Sequence, residues 1–373
     1  MSGKLAAVVL AAGFSSRMGE FKPLLDLAGV TALERAVTLF RAAGVRDVRV
    51  VTGHRAAELS PLLEQLEARV VPNPDYREGM FSSVAAGVAT LGAEVDAFFV
   101  LPVDLPLVRP ATVRRLLDAF RQGGAGIVYP AFLGERGHPP LIAGRLAREI
   151  ADWRGPGGLQ GVLAGWEGEA RELEVADEQI LRDMDTPDDY RLLREKAEGD
   201  QIPGEAECRE LLVTVLQVEP SILRHCQAVA QLALALGREL NRSGCGLDIP
   251  ALAAAALLHD LARKEPDHAR AGARLLRGLG YEVVADLVAT HMDMTVKEEE
   301  PISAGELLYL ADKMVQGERR VPLAERFSAT MARHGHDPAV AENISRRLET
   351  ALLIQKRLEA VLGRTMAEVI STL

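Results

Sequence analysis

The segment Leu10-Ala-Ala-Gly-Phe-Ser-Ser-Arg-Met-Gly-Glu-Phe-Lys22 gathers glycines, serines and two bases directly behind an apolar run, Leu5–Leu10. Such a run reads as a buried parallel strand. The chain then turns through Gly13, Ser15, Ser16 and Gly19 and delivers Arg17 and Lys22. Glycine has no Cβ, so backbone N–H groups can close on a phosphate while the two cations neutralise its charge. Leu10, Ala11, Ala12, Gly13, Arg17 and Lys22 are therefore candidate contacts for a nucleoside triphosphate. Asp104 stands at the end of another apolar run, in Val100-Leu-Pro-Val-Asp-Leu-Pro-Leu107. A carboxylate at a strand's carboxyl edge, near a phosphate loop, suits Mg2+, and Asp104 is too far from the helix start near Pro110 to cap it. In Asp183-Met-Asp-Thr-Pro-Asp-Asp189, Thr186-Pro187 begins a helix whose dipole Asp188 and Asp189 complement. Asp185 is left free as a second Mg2+ ligand.

A different chemistry runs through the second half. His225, His259, Asp260, His268, His291 and Asp312 each sit on or at the end of an apolar helical pattern. His259-Asp260 follows Leu252-Ala-Ala-Ala-Ala-Leu-Leu258, a segment with no solvent face. An ionised Asp there is costly unless something pairs with it. A metal held by imidazoles and carboxylates removes that cost, and mixed N/O ligands suit Mn2+, Fe2+, Ni2+ or Zn2+. One such histidine would be an ordinary core residue; four or five with two aspartates are hard to explain that way. His334 and His336 flank Gly335 in a polar stretch and read as solvated.

The elements that must position these groups differ between the halves. Ala6–Leu10, Val48–Thr52, Ala68–Pro72, Ala97–Leu101 and Gly126–Pro130 read as strands, with helical patterns over Ala32–Ala43, Ala57–Glu67, Ser83–Leu91 and Ala111–Gln122 between them. Alternating strands and helices predict an α/β domain with a mostly parallel sheet, helices on both faces, and ligands at the carboxyl ends of the strands. Near residue 195 the texture changes to a charged stretch with Gly and Pro. Beyond it, helical periodicity covers Cys208–Val218, Ile222–Leu240, Ile249–Leu261, His268–Leu279, Glu282–Thr290, Ala304–Met314, Leu323–His334, Pro338–Leu362 and Met366–Leu373. The expected organisation is an α/β domain over 1–195, a linker over 196–206 and an all-α domain over 207–373.

Composition narrows the class further. Hydrophobic residues make up 48% of the 373 and charged residues 26%, ordinary for a globular protein. A net charge of −10 argues against a nucleic-acid or anionic-membrane binder. No uncharged apolar stretch reaches the roughly 18 residues of a membrane span, and Met1–Lys4 does not open a signal peptide. Three cysteines without CxxC spacing suit a reducing cytoplasm.

Five blocks in order, Leu10–Lys22, Asn73-Pro-Asp-Tyr-Arg-Glu-Gly-Met-Phe-Ser-Ser83, Asp104, Gly137-His-Pro-Pro-Leu141 and Asp185-Thr-Pro187, resemble the molybdenum cofactor nucleotidyltransferases over about residues 4 to 193. The resemblance implies a Rossmann-like nucleotidyltransferase fold. It places Gly79, Ser82 and Ser83 near the nucleotide's base and ribose, and Gly137, His138 and Pro139 near the acceptor. Leu-Ala-Ala-Gly looks like the cytidylyltransferases of that family, so Ala12 leans to CTP over other NTPs. It further implies Mg2+ on Asp104 and Asp185, catalytic roles for Arg17, Lys22 and Asp104, a molybdopterin-type acceptor and a molybdoenzyme partner. Gly155-Pro-Gly-Gly-Leu159 departs from the family pattern, with Pro156 where Asp is common. A sugar or alditol phosphate is the alternative acceptor.

Over about 220 to 320, His225…His259-Asp260…Asp312 resembles the HD superfamily of metal-dependent phosphohydrolases. Its implied catalytic residue is Asp260, and its implied ligands are His225, His259, Asp260 and Asp312, with His268 and His291 where binuclear members carry extra ligands. One or two ions such as Mn2+ or Fe2+ are expected. The run Ile302–Met314 looks closest to bacterial members that cleave dinucleoside polyphosphates. Arg263 stands where many members have Lys, followed by Lys264. A nucleotide-binding module that regulates the first domain is the alternative to a hydrolase.

Overall fold

The computed structural model describes residues 3–199 and 201–371. They form two compact units, Met1–Asp200 and Gln201–Leu373.

The first unit is built on one sheet. Its strands are β1 (Lys4–Ala11), β4 (Asp47–Thr52), β5 (Arg69–Pro72), β6 (Val95–Pro102), β7 (Ile127–Phe132), β8 (Glu135–Arg136), β9 (Leu141–Ala143) and β10 (Ala170–Glu174), while β2 (Asp26–Leu27) and β3 (Val30–Thr31) form a separate hairpin. The order is β10-β7-β9-β6-β1-β4-β5, with β8 on β7. β1 runs parallel to β4 and β6; β9 runs antiparallel between β6 and β7. Side chains on successive strand residues point to opposite faces. Ala7, Val9, Phe99 and Leu101 accordingly join one core with helices Ala32–Ala42 and Pro110–Arg121, while Ala6, Val8, Phe98 and Val100 join another with helix Met80–Ala89. Continuous apolar runs were the only pattern that could satisfy both layers.

The five expected strands are present, but β8, β9 and β10 are additions. Ala170-Arg-Glu-Leu-Glu174 is an edge strand with charged side chains, and β9 is only three residues long. Neither carries an apolar run long enough to read as a strand.

Helix Met80–Ala89 lies close on the sheet. A Cβ at Gly87 would stand 2.4 Å from Val8 Cγ1 and 2.8 Å from Val51 Cγ2. Gly87→Ala should therefore destabilise the fold by about 1–3 kcal/mol through overpacking. The outcome is a lower Tm; an unchanged Tm would show that the sheet yields.

In the second unit, Pro220–Arg242, Ile249–Leu258, His268–Leu279, Glu282–Thr290, Ala304–Lys313, Leu323–His334 and Pro338–Leu362 are the main helices. Asp248 caps Ala251 N at 2.9 Å, and Ser303 with Glu306 closes a capping box before Ala304. Expected Cys208–Val218 is instead helix Glu205–Glu210 followed by a π turn, Leu211–Val215, because Glu207 accepts from Gly204 N at 2.8 Å and starts the helix earlier. Helices Pro187–Glu198 and Glu205–Glu210 take up both ends of the expected 196–206 linker, and Asp200 lies outside the described residues. Of the expected helix Met366–Leu373, Met366–Ser371 is helical, and its last two residues lie outside the described residues. Among the described residues, no helix is long and apolar enough to cross a membrane.

Candidate active sites in the two units

The first site lies at the carboxyl ends of β1 and β6. Ser15 adopts a left-handed φ of 56°, and its Oγ accepts from Lys22 N at 3.1 Å, so the loop after β1 folds back and presents the Lys22 side chain. Asp104 follows β6 by two residues, and its carbonyl accepts from Met184 N at 2.9 Å, which brings Asp185 alongside. Lys22 Nζ then donates to Asp104 Oδ2 at 3.1 Å and Asp185 Oδ1 at 2.7 Å. Arg17 reaches Asp185 Oδ2 at 2.7 Å. Burial works to lower the Lys22 pKa, but the contacts with Asp185 and Asp104 outweigh it and hold the ammonium protonated.

These groups line a cleft of about 690 Å3 together with Leu10, Ala11, Ala12, Gly13, Gly79 and Ser83. Nothing would meet a Cβ at Gly13, so the backbone there is open to a ligand. Gly79, at φ 105° and ψ 177°, holds a conformation reserved for glycine at the head of helix Met80–Ala89. Ser82 does not line the cleft. Its hydroxyl is engaged by the Asp75 and Gly79 carbonyls, at 2.9 Å each, and by Asn73 Nδ2. It ties down the loop, and the nucleotide contact expected of it is not there. Of the expected acceptor residues, Gly137 and His138 line the cleft and Pro139 does not. Gly137 packs so tightly that a Cβ would stand 2.5 Å from Ile180 O, while His138 Nδ1 is buried without a partner and its pKa is pushed down by burial.

Phe14, Tyr76, Arg77, Arg136 and Asp183 also line the cleft. Residue spacing had not marked them, although Phe14 lies within the glycine loop and Tyr76-Arg77 within the Asn73–Ser83 block. Asp183 has its pKa raised by burial and then by the charges of Asp185 and Asp104. Thr186 and Asp189 close a capping box at helix Pro187–Glu198.

In the second unit, five helices or helix ends converge. His225 Nδ1 lies 2.9 Å from Gly317 O, His259 Nδ1 2.8 Å from Ala256 O, and His291 Nδ1 2.7 Å from Val288 O. A carbonyl only accepts, so each Nδ1 carries the proton and each Nε2 lone pair faces inward. The Nε2 atoms of His225 and His259 lie 3.9 Å and 3.7 Å from Asp260 Oδ2. His268 and His291 lie 3.2 Å and 3.7 Å from its other oxygen, Oδ1. Asp312 Oδ1 is 3.2 Å from His225 and 3.7 Å from His259. Two groups with metal-ligating reach result, His225/His259/Asp260 and Asp260/His268/His291, sharing Asp260. The residues fit a divalent ion: His259 Nε2 is buried with no partner, amid carboxylates that need a cation. Arg263 donates to Asp260 Oδ1 at 3.3 Å and to His268 Nε2 at 3.2 Å. Lys313 pairs with Asp312 at 2.6 Å. His334, expected in a loop, ends helix Leu323–His334 and lines the cavity beside the cluster.

Residues 7–173 match the MobA-like NTP transferase domain, and residues 222–316 match the HD domain. The chain joins a MobA-like NTP transferase domain to an HD domain. The molybdenum cofactor cytidylyltransferase of Escherichia coli is 28% identical over 190 residues, 51% of this chain and 95% of that protein. The nicotine blue oxidoreductase of Paenarthrobacter nicotinovorans is 31% identical over 197 residues, 51% of this chain and 96% of that protein. The bifunctional IPC transferase and DIPP synthase of Rubrobacter xylanophilus is 43% identical over 119 residues, 30% of this chain, which spans only 26% of that relative's length. All six residues of the imidazole–carboxylate cluster fall inside the HD match, whereas Asp183 and Asp185 lie beyond the end of the transferase match.

The HD cluster has a pH signature. Burial pushes His259 down to about 4, so its imidazole is neutral across the working range. His225 moves the other way: burial lowers it, but the Asp312 hydrogen bond and charge outweigh burial and raise it. Protons therefore compete with metal at His225 first, and metal affinity should fall as pH drops through its raised pKa. Mn2+ titrations at stepped pH should show this loss, and His225→Gln should flatten it. A His259→Gln variant flattening it instead would reverse the assignment.

Proposed function

We propose that the transferase domain moves CMP from CTP to the phosphate of a molybdopterin-type acceptor, and that the HD domain hydrolyses a phosphate ester or anhydride. The observation that carries the first part is the Lys22 ammonium held between Asp104 and Asp185 at the strand ends. An acceptor phosphate oxygen attacks the α-phosphorus of CTP, the bond to the bridging oxygen breaks, and pyrophosphate leaves. Arg17 and Lys22 hold the triphosphate, and the open backbone at Gly13 lets it approach. Asp104 and Asp185 fit Mg2+ as oxygen ligands, since a cation already sits between them. Mg2+ there supplies charge neutralisation at the α-phosphate. Arg17 and Lys22 both bind Asp185, so they must release it to the ion.

A second cavity of about 590 Å3 supports the acceptor's character. Phe81, Val84, Tyr129, Leu159 and Leu163 line it, and it shares His138 and Leu10 with the cleft. Such walls suit a flat heterocycle better than a polyol. The 43% identity to the IPC transferase favours the second reading, in which a different phosphorylated acceptor is used. In the HD domain, His225, His259, Asp260, His268, His291 and Asp312 would hold one or two ions. Divalent ions there supply Lewis acidity toward water and phosphate. A complete, preoriented ligand set supports hydrolysis over a purely regulatory module. A molybdoenzyme is the expected recipient of the first domain's product.

The test is pyrophosphate release by the full chain with Mg2+, CTP and molybdopterin, beside GTP and an alditol phosphate. Preference for CTP with molybdopterin supports the reading, and release only with the alditol phosphate overturns the acceptor. Phosphate release from nucleotides with Mn2+, lost in Asp260→Ala, tests the second part.

A further inference from the structure

The cavity beside the HD cluster has a volume of about 500 Å3, and part of its wall comes from outside the HD match. Arg326, Arg333 and His334 reach it from helix Leu323–His334, and Arg347 from helix Pro338–Leu362. With Arg263 and Lys313, five Arg and Lys side chains line this space against two carboxylates, Asp260 and Asp312, both of the cluster. The whole chain carries −10, so this concentration of positive charge runs against its average. Internal partners account for some of it. Arg263 binds Asp260, Lys313 binds Asp312, Arg347 binds Asp293 at 2.7 Å, and Arg326 donates to Val315 O. Among the described residues, Arg333 and His334 have no such partner, and both are exposed to the cavity. Ile222, Met292 and Phe327 supply an apolar stretch of the same wall. Two cations in a helix's last turn also complement its dipole, but that effect places them at the helix end and not around a cavity beside a metal-ligating cluster.

We propose that the helix pair Leu323–His334 and Pro338–Leu362 forms a polyanion subsite with Arg333 and His334 as specificity-determining residues, so that the HD substrate carries a chain of linked phosphates instead of a single phosphate ester. This rests on the hydrolase reading above. A phosphorus at the cluster is attacked by water, the bridging P–O bond breaks, and the departing phosphate takes the proton while still held by the cationic wall. A nucleoside polyphosphate and an inorganic polyphosphate share this chemistry; the apolar stretch gives a nucleoside somewhere to rest.

The experiment compares Arg333→Gln and Arg333→Lys with the unaltered full chain, all loaded with Mn2+, on adenosine tetraphosphate, inorganic tripolyphosphate and p-nitrophenyl phosphate. Loss of one charge-assisted contact should raise KM for both polyphosphates about tenfold. The kcat values and the KM for p-nitrophenyl phosphate should stay where they were, and Arg333→Lys should restore most of the effect. A lower KM for adenosine tetraphosphate than for tripolyphosphate identifies the nucleoside source, and the reverse identifies the inorganic one; both support the subsite. Equal losses on all three substrates, or an unmoved polyphosphate KM, overturn it. If no substrate is cleaved, the hydrolase reading fails by itself. Calorimetric titration of tripolyphosphate into the Lys22→Ala chain, where the first domain's site is disabled, then decides the subsite: binding weakened by Arg333→Gln sustains it, and absent or unaffected binding overturns it.

Discussion

Asp260→Asn should empty both halves of the HD cluster at once. Each carboxylate oxygen faces a different pair of imidazoles, Oδ2 toward His225 and His259 and Oδ1 toward His268 and His291. The amide keeps the shape but offers one neutral oxygen and an N–H2 that repels a cation. Hydrolysis should fall by about 10²–10³ or more, the scale of losing a central electrostatic contact. Elemental analysis should find less than one ion per chain. His268→Gln is the informative partner, because it disturbs only the Oδ1 side. It should leave one tightly held ion on His225, His259 and Asp260. Full occupancy in Asp260→Asn would mean that the ions bind elsewhere.

Lys22→Met should separate two roles in the transferase domain. The ammonium is the cation that Asp104 and Asp185 share, with only 11% of its side-chain surface exposed. Without it, nucleotidyl transfer should drop by about 10²–10³, because the triphosphate loses a fixed positive charge. The two carboxylates should meanwhile bind Mg2+ more tightly, since no internal cation competes for them. Pyrophosphate release measures the first effect and Mg2+ titration the second. A full rate in Lys22→Met would remove the lysine from phosphate binding. Weaker Mg2+ binding would show that Lys22 organises the acids and does not compete at them.

The two predictions draw on contacts of different legibility. The glycine loop and the His-Asp dipeptide are local, and their residue types announce phosphate and metal chemistry wherever they are folded. Ser82 lies in a block that reads as nucleotide-binding, yet its hydroxyl is spent on Asn73 and two carbonyls. The side of a turn that a serine faces depends on backbone angles, here on the glycine-only conformation of Gly79. His334 failed for a related reason. A polar stretch at a helix end looks solvated until the helix is docked beside a cavity.

What residue order determined by itself is the pair of architectures. Uniform apolar runs can only be strands buried on two faces, and apolar positions at helical spacing can only be packed helices. It also determined which residues could ligate, because few side chains can. Tertiary structure alone decided the rest. Lys22 meets Asp185 across 163 residues and His225 meets Asp312 across 87. No short-range pattern encodes such distances. Which imidazole nitrogen faces inward, that Asp260 serves both halves of the cluster, and that the last helices bring Arg333 beside it follow from packing, which balances many weak contacts over the whole unit.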